Sequence, residues 1–293
     1  MDITLALGGG GAKGNAHIGV LRRLEKEGYK IRAVAGTSFG GIVGLLYAAG
    51  YTPDEIEENF SKVDQAGLYG RSLEDGPALL GLAGVRKWLD EVLAERTFAD
   101  LHIPAAVTAV DLNCGCEVVL SDGLVKDALL STIAVPGVFP AFPWNEWELI
   151  DGGVLNPVPV SVARALDPSL PVVAVILQTP LGEPAQSITT PLTDGIPKSI
   201  LDRLASIRIA QAFDIFMRSV DISNRAVAEY RLAFDKPAVV IRPQVSDIGL
   251  LDHVDVRKVA QSGEAAVEAV LPELRRAVSW SSRIRRSLFG GNS

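Results

Sequence analysis

The chain has 293 residues, 48% hydrophobic and 22% charged, enough for one large packed domain. Its formal net charge of −7 argues against a nucleic-acid partner, which would call for a basic face. Two cysteines, Cys114 and Cys116, are too few for a disulfide framework and lack the extra ligands of a zinc site, so they read as reduced thiols.

The opening residues 1–7 are acidic and short and run into glycines, unlike a secretory leader. No apolar run reaches the ~18–20 residues of a membrane span. A soluble cytoplasmic protein, or one peripheral at the inner face of the membrane, is the expectation.

Residues 3–7 form a short apolar run, read as a buried strand, that ends in Gly8, Gly9, Gly10 and Gly11. A helix is predicted over 14–28, from Ile18, Leu21 and Leu24 at helical spacing and Gly28 as its stop. A second strand over 31–35 leads through Gly36-Thr37-Ser38-Phe39-Gly40-Gly41 into an apolar helix over 42–49. This alternation predicts a parallel sheet with helices on both faces. Residues 53–99 read as mostly helical with glycine breaks, 105–110 and 117–120 as strands, and 124–132 as a helix. Residues 135–144 are an apolar loop rich in proline and aromatics, followed by a strand over 146–150 and Asp151-Gly152-Gly153. A buried strand at 172–177 precedes a polar stretch at 180–197 that reads as a loop, and a lid over the site is one guess for it. One or two amphipathic helices at 198–233, a strand at 238–242 and a helix at 255–278 complete the pattern. From Pro272 onward there are five Arg against one Glu, with Trp280, Leu288 and Phe289 among them, and the last four residues read as disordered.

Three features carry chemistry. Gly36 to Gly40 fits G-x-S-x-G between a strand and an apolar helix. There a tight turn pushes the Ser38 hydroxyl out at the carboxyl edge of the sheet, and the helix N-terminus favours negative charge. Gly8 to Gly14 presents backbone N–H groups without side-chain obstruction. A dinucleotide site would need an acid at the end of the second strand, and a P-loop would need Ser or Thr after Lys13. The sequence has neither, which leaves an oxyanion hole built from Gly9, Gly10 and Gly11. Asp151, at the end of a strand and followed by two glycines, points into the same crevice as a base. Burial among Phe139, Phe142 and Trp144 would raise its basicity.

Taken together, these motifs resemble the patatin-like phospholipase family, as a small bacterial stand-alone member. That family shows G-x-G-x-[RK]-G, here Gly9 to Gly14 with Lys13 in the basic slot, then G-x-S-x-G, here Gly36 to Gly40, then D-G-[GA], here Asp151, Gly152 and Gly153. Similarity extends to residues 17–21, 135–140 and 152–157, covering 3–177 well and the rest loosely. The resemblance implies a three-layer α/β/α sandwich with a mostly parallel central sheet. It implies a Ser38–Asp151 dyad without histidine, and hydrolysis of lipid acyl esters without a metal cofactor. On this view residues 1–275 are the acyl-hydrolase domain and 276–293 a basic tail that could lie on anionic lipid.

Other readings stay beside this one. His253 follows Ser38 and an Asp in the chain order of a hydrolase triad, but the elbow arrives early and His253 reads as a loop residue. His17 and His102 read as structural, and Asp111 as a turn residue. Lys13 is either a solvated cation or a holder of an anionic group. A weakly catalytic binding module, an acyltransferase or a thioesterase would share the same residues. Lipid headgroup, acyl length, bond position and oligomeric state are not encoded in these motifs.

Overall fold

The computed structural model describes residues 1–63, 67–70, 76–182 and 200–279. Most of the loop at 180–197 and the tail beyond Ser279 lie outside them. The core of the fold is a run of parallel strands, ordered β3 (Ala105–Asp111), β2 (Lys30–Thr37), β1 (Asp2–Leu7), β7 (Val172–Val175) and β8 (Val239–Ile241). Three further strands pair antiparallel around β3, with β4 (Cys116–Leu120) on its outer edge, β6 (Trp147–Asp151) on the edge it shares with β2, and β5 (Phe142–Trp144) beside β6. The aromatic stretch read as a loop thus contributes an edge strand, because Phe142 to Trp144 finds a hairpin partner in Trp147 to Leu149.

Side-chain alternation along β1 explains the layers. Ile3, Leu5 and Leu7 enter one core, together with Ile18, Leu21 and Leu24 of α1 (Ala16–Lys26). The same face carries α2 (Phe39–Ala48), α3 (Pro53–Lys62), α4 (Ala83–Leu93), α5 (Val125–Thr132) and α8 (Val256–Ala277). Ala6 enters the opposite core with Ala35, Ala106 and Ala174, a row of small residues that lets α6 (Val160–Leu166) lie close on the sheet. The 36-residue α7 (Ile200–Asp235) packs over α6 on that side through Ala228 and Leu232. The result is a three-layer α/β/α sandwich. Each buried Leu or Ile contributes roughly 1.5–3 kcal/mol, so the larger first core carries most of the apolar stabilisation.

The stretch at 198–233, read as one or two helices, is a single continuous helix. One sequence expectation changes. Cys114 and Cys116 are joined as a disulfide rather than left as reduced thiols. Gly115, at positive φ in the β3–β4 turn, folds the chain back and brings the two side chains together. Among the described residues no helix is long and apolar enough to cross a membrane.

Candidate active site

Strand order brings the site together in a way the motifs alone do not announce. β2 pairs with one edge of β3 from Val34 opposite Ala105 to Thr37 opposite Thr108, and there it stops. The same edge of β3 is taken up at the next position by β6, running the other way, from Asp151 opposite Ala109 to Leu149 opposite Asp111. β4 fills the other edge of β3 over this stretch. The carboxyl ends of β2 and β6 therefore meet head-on, and Ser38 and Asp151 come next to each other.

Ser38 has φ 53° and ψ −129°, a conformation that side-chain-bearing residues rarely adopt. It is held there from both sides. Its N–H donates to the Thr132 hydroxyl at 2.9 Å, and that hydroxyl donates to the Thr108 carbonyl at 2.6 Å. Its carbonyl accepts from the N–H groups of Gly41 and Ile42 at the start of α2. Just before it, the Thr37 hydroxyl lies 2.7 Å from that of Thr108 and donates to the Asn156 carbonyl at 2.8 Å. Gly40 permits the turn, because a Cβ there would collide with the carbonyl oxygens of Leu7 and Gly8. Thr108, Thr132 and Asn156 are buried polar residues of the site that the sequence reading missed. A polar residue in an otherwise apolar strand or helix, as at Thr108 and Thr132, is the available signal, and it is a weak one.

Asp151 is also buried. Its Oδ1 accepts from the Gly153 N–H at 2.7 Å, and its own N–H donates to the Ala134 carbonyl at 2.9 Å. Removal from water lifts its pKa from 3.8 to about 6, against the opposing hydrogen bonds from the Ser38 hydroxyl and the Gly153 N–H. Phe142 and Trp144 do not provide this burial. They sit on β5 at the edge of the sheet, where Arg86 stacks over the Phe142 ring. Val135, Pro136 and Val154 line the crevice on the aspartate side instead.

The glycine loop follows β1 and lies against the nucleophile, with a Cβ at Gly9 falling 3.1 Å from that of Ser38. His17 and Gln178 hold its carbonyls. The Nε2 of His17 is 2.8 Å from the Gly8 oxygen and the Gln178 side-chain amide is 3.1 Å from the Gly9 oxygen. Burial drops the His17 pKa to about 4, so the ring is neutral and its Nε2–H donates, the structural role expected of it. The N–H of Gly9 donates to the Pro157 carbonyl at 3.0 Å, which takes it out of the expected oxyanion set. The N–H groups of Gly10 and Gly11 have no acceptor among the described residues.

Two pockets open at Ser38. One is apolar, walled by Phe39, Ile42, Phe60, Leu82, Trp88 and Phe139. The other contains Asp151 and polar side chains, among them Lys13, Gln178, Asn224 and Arg225. Lys13 lines this second crevice rather than standing in solvent, and burial lowers its pKa. His253 is exposed and lines neither pocket, and the carboxyl of Asp111 is taken up by the main-chain N–H groups of Asn113 and Cys114 in its own turn and of Glu148 on the neighbouring β6.

The patatin-like phospholipase family model matches residues 5–164. The chain belongs to the patatin-like phospholipase family. A Mycobacterium tuberculosis protein described as an uncharacterized NTE family protein is 34% identical over 187 residues, 63% of this chain and 51% of that protein. A second such protein from the same organism is 28% identical over 283 residues, 92% of this chain and 46% of its own. The chain thus spans about half the length of these curated relatives. Among solved structures, VipD from Legionella pneumophila superposes with a TM-score of 0.58 at 13% identity, covering 93% of this chain and 66% of that one, a likeness of fold. The patatin-like match ends before β7, so Gln178 and the α7 residues that complete the polar crevice lie beyond it.

Proposed function

We propose that the protein is a serine acyl-ester hydrolase acting on lipids, with Ser38 as nucleophile and Asp151 as base. The observation that carries the reading is the head-on meeting of β2 and β6, which sets a strained serine beside a buried carboxylate with its pKa lifted to about 6. At neutral pH such a carboxylate is ionised, yet basic enough to accept a proton as bonding develops. The Ser38 oxygen attacks the ester carbonyl carbon and its proton passes to Asp151. The carbonyl oxygen becomes an anion facing the N–H groups of Gly10 and Gly11. Collapse of the tetrahedral species expels the alcohol, which takes the proton from Asp151 and leaves an acyl-enzyme. Water, deprotonated by the same carboxylate, then releases the fatty acid. Lys13, Gly14, Gly36, Gly40, Gly152 and Gly153 support the three loops rather than react.

The apolar pocket suits an acyl chain, and the polar crevice suits the more polar alcohol portion of a lipid. A fluorophosphonate probe mimics the tetrahedral species and tests the assignment. Peptide mass spectrometry should find the adduct on Ser38, missing in Ser38→Ala and strongly reduced in Asp151→Asn. Labelling undiminished in Asp151→Asn would move the base elsewhere, and no labelling of folded protein would favour a binding module.

A further inference from the structure

The outer side of α7 is unlike any other helix surface among the described residues. Ile215, Phe216, Ile222, Tyr230 and Phe234 are between 50% and 84% exposed. At 3.6 residues per turn these five fall within an arc of about 120°. The positions between them on that arc, Ser219, Ser223, Ala226 and Ala233, carry small uncharged side chains. By the same helical spacing the charged residues of this stretch fall off the arc, and among them Arg225 pairs with Asp221, Glu229 with Arg242 and Arg231 with Glu117. The result is an apolar, charge-free face about 33 Å long at 1.5 Å per residue from Ala212 to Phe234. Monomeric soluble proteins seldom expose such a continuous strip without a partner.

We infer that this face docks the protein on the surface of a phospholipid bilayer, with α7 lying in the plane of the interface. The inference rests on the lipid-hydrolase reading above and adds the place where enzyme and lipid aggregate meet. The argument for lipid is continuity with the site. Met217, Val220 and Asn224, on the opposite side of the same turns, line the crevice that holds Ser38 and Asp151. A bilayer seated on the outer face therefore lies one helix diameter, about 10 Å, from that crevice. A strip with no charge offers nothing to steer or register a polar protein partner, whereas an apolar face laid flat is what an interfacial helix needs. α7 is not apolar enough to cross a membrane, which leaves the surface orientation.

The test is co-sedimentation of the full chain with phosphatidylcholine vesicles, read alongside ester hydrolysis. Wild type and Ser38→Ala should bind alike, and binding should change little with salt because the face is uncharged. Ile222→Asp combined with Phe234→Asp should weaken binding by at least about tenfold, with an unchanged melting temperature. If that pair does not fold, Phe234→Ser, at the most exposed of the five positions, should still weaken binding measurably. Equal binding by wild type and a folded variant would overturn the inference, as would wild type that ignores the vesicles. Binding lost only on removing residues 280–293 would assign it to the basic tail. Light scattering that finds a stable dimer, dissociated by the variant, would assign the face to a second copy of the chain. The two readings fail separately, because vesicle binding without hydrolysis leaves the face and removes the chemistry. Hydrolysis of a soluble ester without vesicle binding does the reverse.

Discussion

Asp151→Asn should make the protein more stable at neutral pH while sharply slowing its chemistry. The carboxyl has a pKa of about 6 when folded and 3.8 as its ordinary value. Between these pH values the folded protein holds a proton that the unfolded chain has released, so stability falls as pH rises through the window. At about 1.4 kcal/mol per pH unit the cost above pH 6 is about 3 kcal/mol. Asparagine keeps the shape and an oxygen for the Gly153 N–H but cannot ionise. The variant should therefore gain up to about 3 kcal/mol at pH 8, roughly 5–10 °C in melting temperature, and the gain should vanish near pH 4. His17 works in the opposite sense. Its pKa falls from 6.5 to about 4 on folding, so it contributes stability above pH 6.5 that is lost as pH falls towards 4. In the wild type these two slopes largely cancel between pH 4 and 6, whereas Asp151→Asn leaves the His17 slope uncompensated against the unchanged background of the other groups. Differential scanning calorimetry of both proteins across this range reads the difference directly. An Asp151→Asn protein no more stable than wild type at pH 8, or a gap that fails to close in acid, would refute the picture of a buried carboxylate left ionised for catalysis.

The rate of fluorophosphonate labelling of Ser38 should fall on acidification with a midpoint near pH 6, as Asp151 takes up its proton, and a midpoint near 4 would mean a solvated base. Asp151→Asn should slow ester turnover by about 10²–10⁴-fold in steady-state assays, and a smaller loss would point to another base. Thr132→Val should strand the buried Ser38 N–H and cost about 1–3 kcal/mol in urea unfolding, with slower labelling. Unchanged labelling would mean that the elbow holds its shape without that acceptor. Leu68→Trp, at a half-buried position on the apolar pocket, should shift the preference among p-nitrophenyl esters towards shorter acyl chains, and an unaltered chain-length profile would remove that pocket as the acyl site.

What could be read from the sequence is what is encoded locally. A short apolar run ending in glycines marks β1 and its loop, Gly36 to Gly40 marks a strand-to-helix elbow, and Asp151 with two glycines marks a strand end. Each signal needs only neighbouring residues, because turn geometry and side-chain alternation are short-range properties. Together they also named the family to which the chain belongs. The tertiary structure decided the rest. Asp151 reaches Ser38 because β2 and β6 each pair with the same edge of β3 and meet there end to end, an arrangement that joins segments more than a hundred residues apart and that no local pattern specifies. The same holds for Thr132 beneath Ser38, and for Gly9, whose N–H goes to Pro157 and leaves Gly10 and Gly11 as the proposed oxyanion donors. Hydrophobic spacing identified α7 as amphipathic, but only packing shows that the side with Met217, Asn224 and Arg225 faces the crevice while Ile215, Ile222 and Phe234 face outward. Periodicity gives two faces to a helix, and the neighbours that the fold assembles around it decide which one is buried.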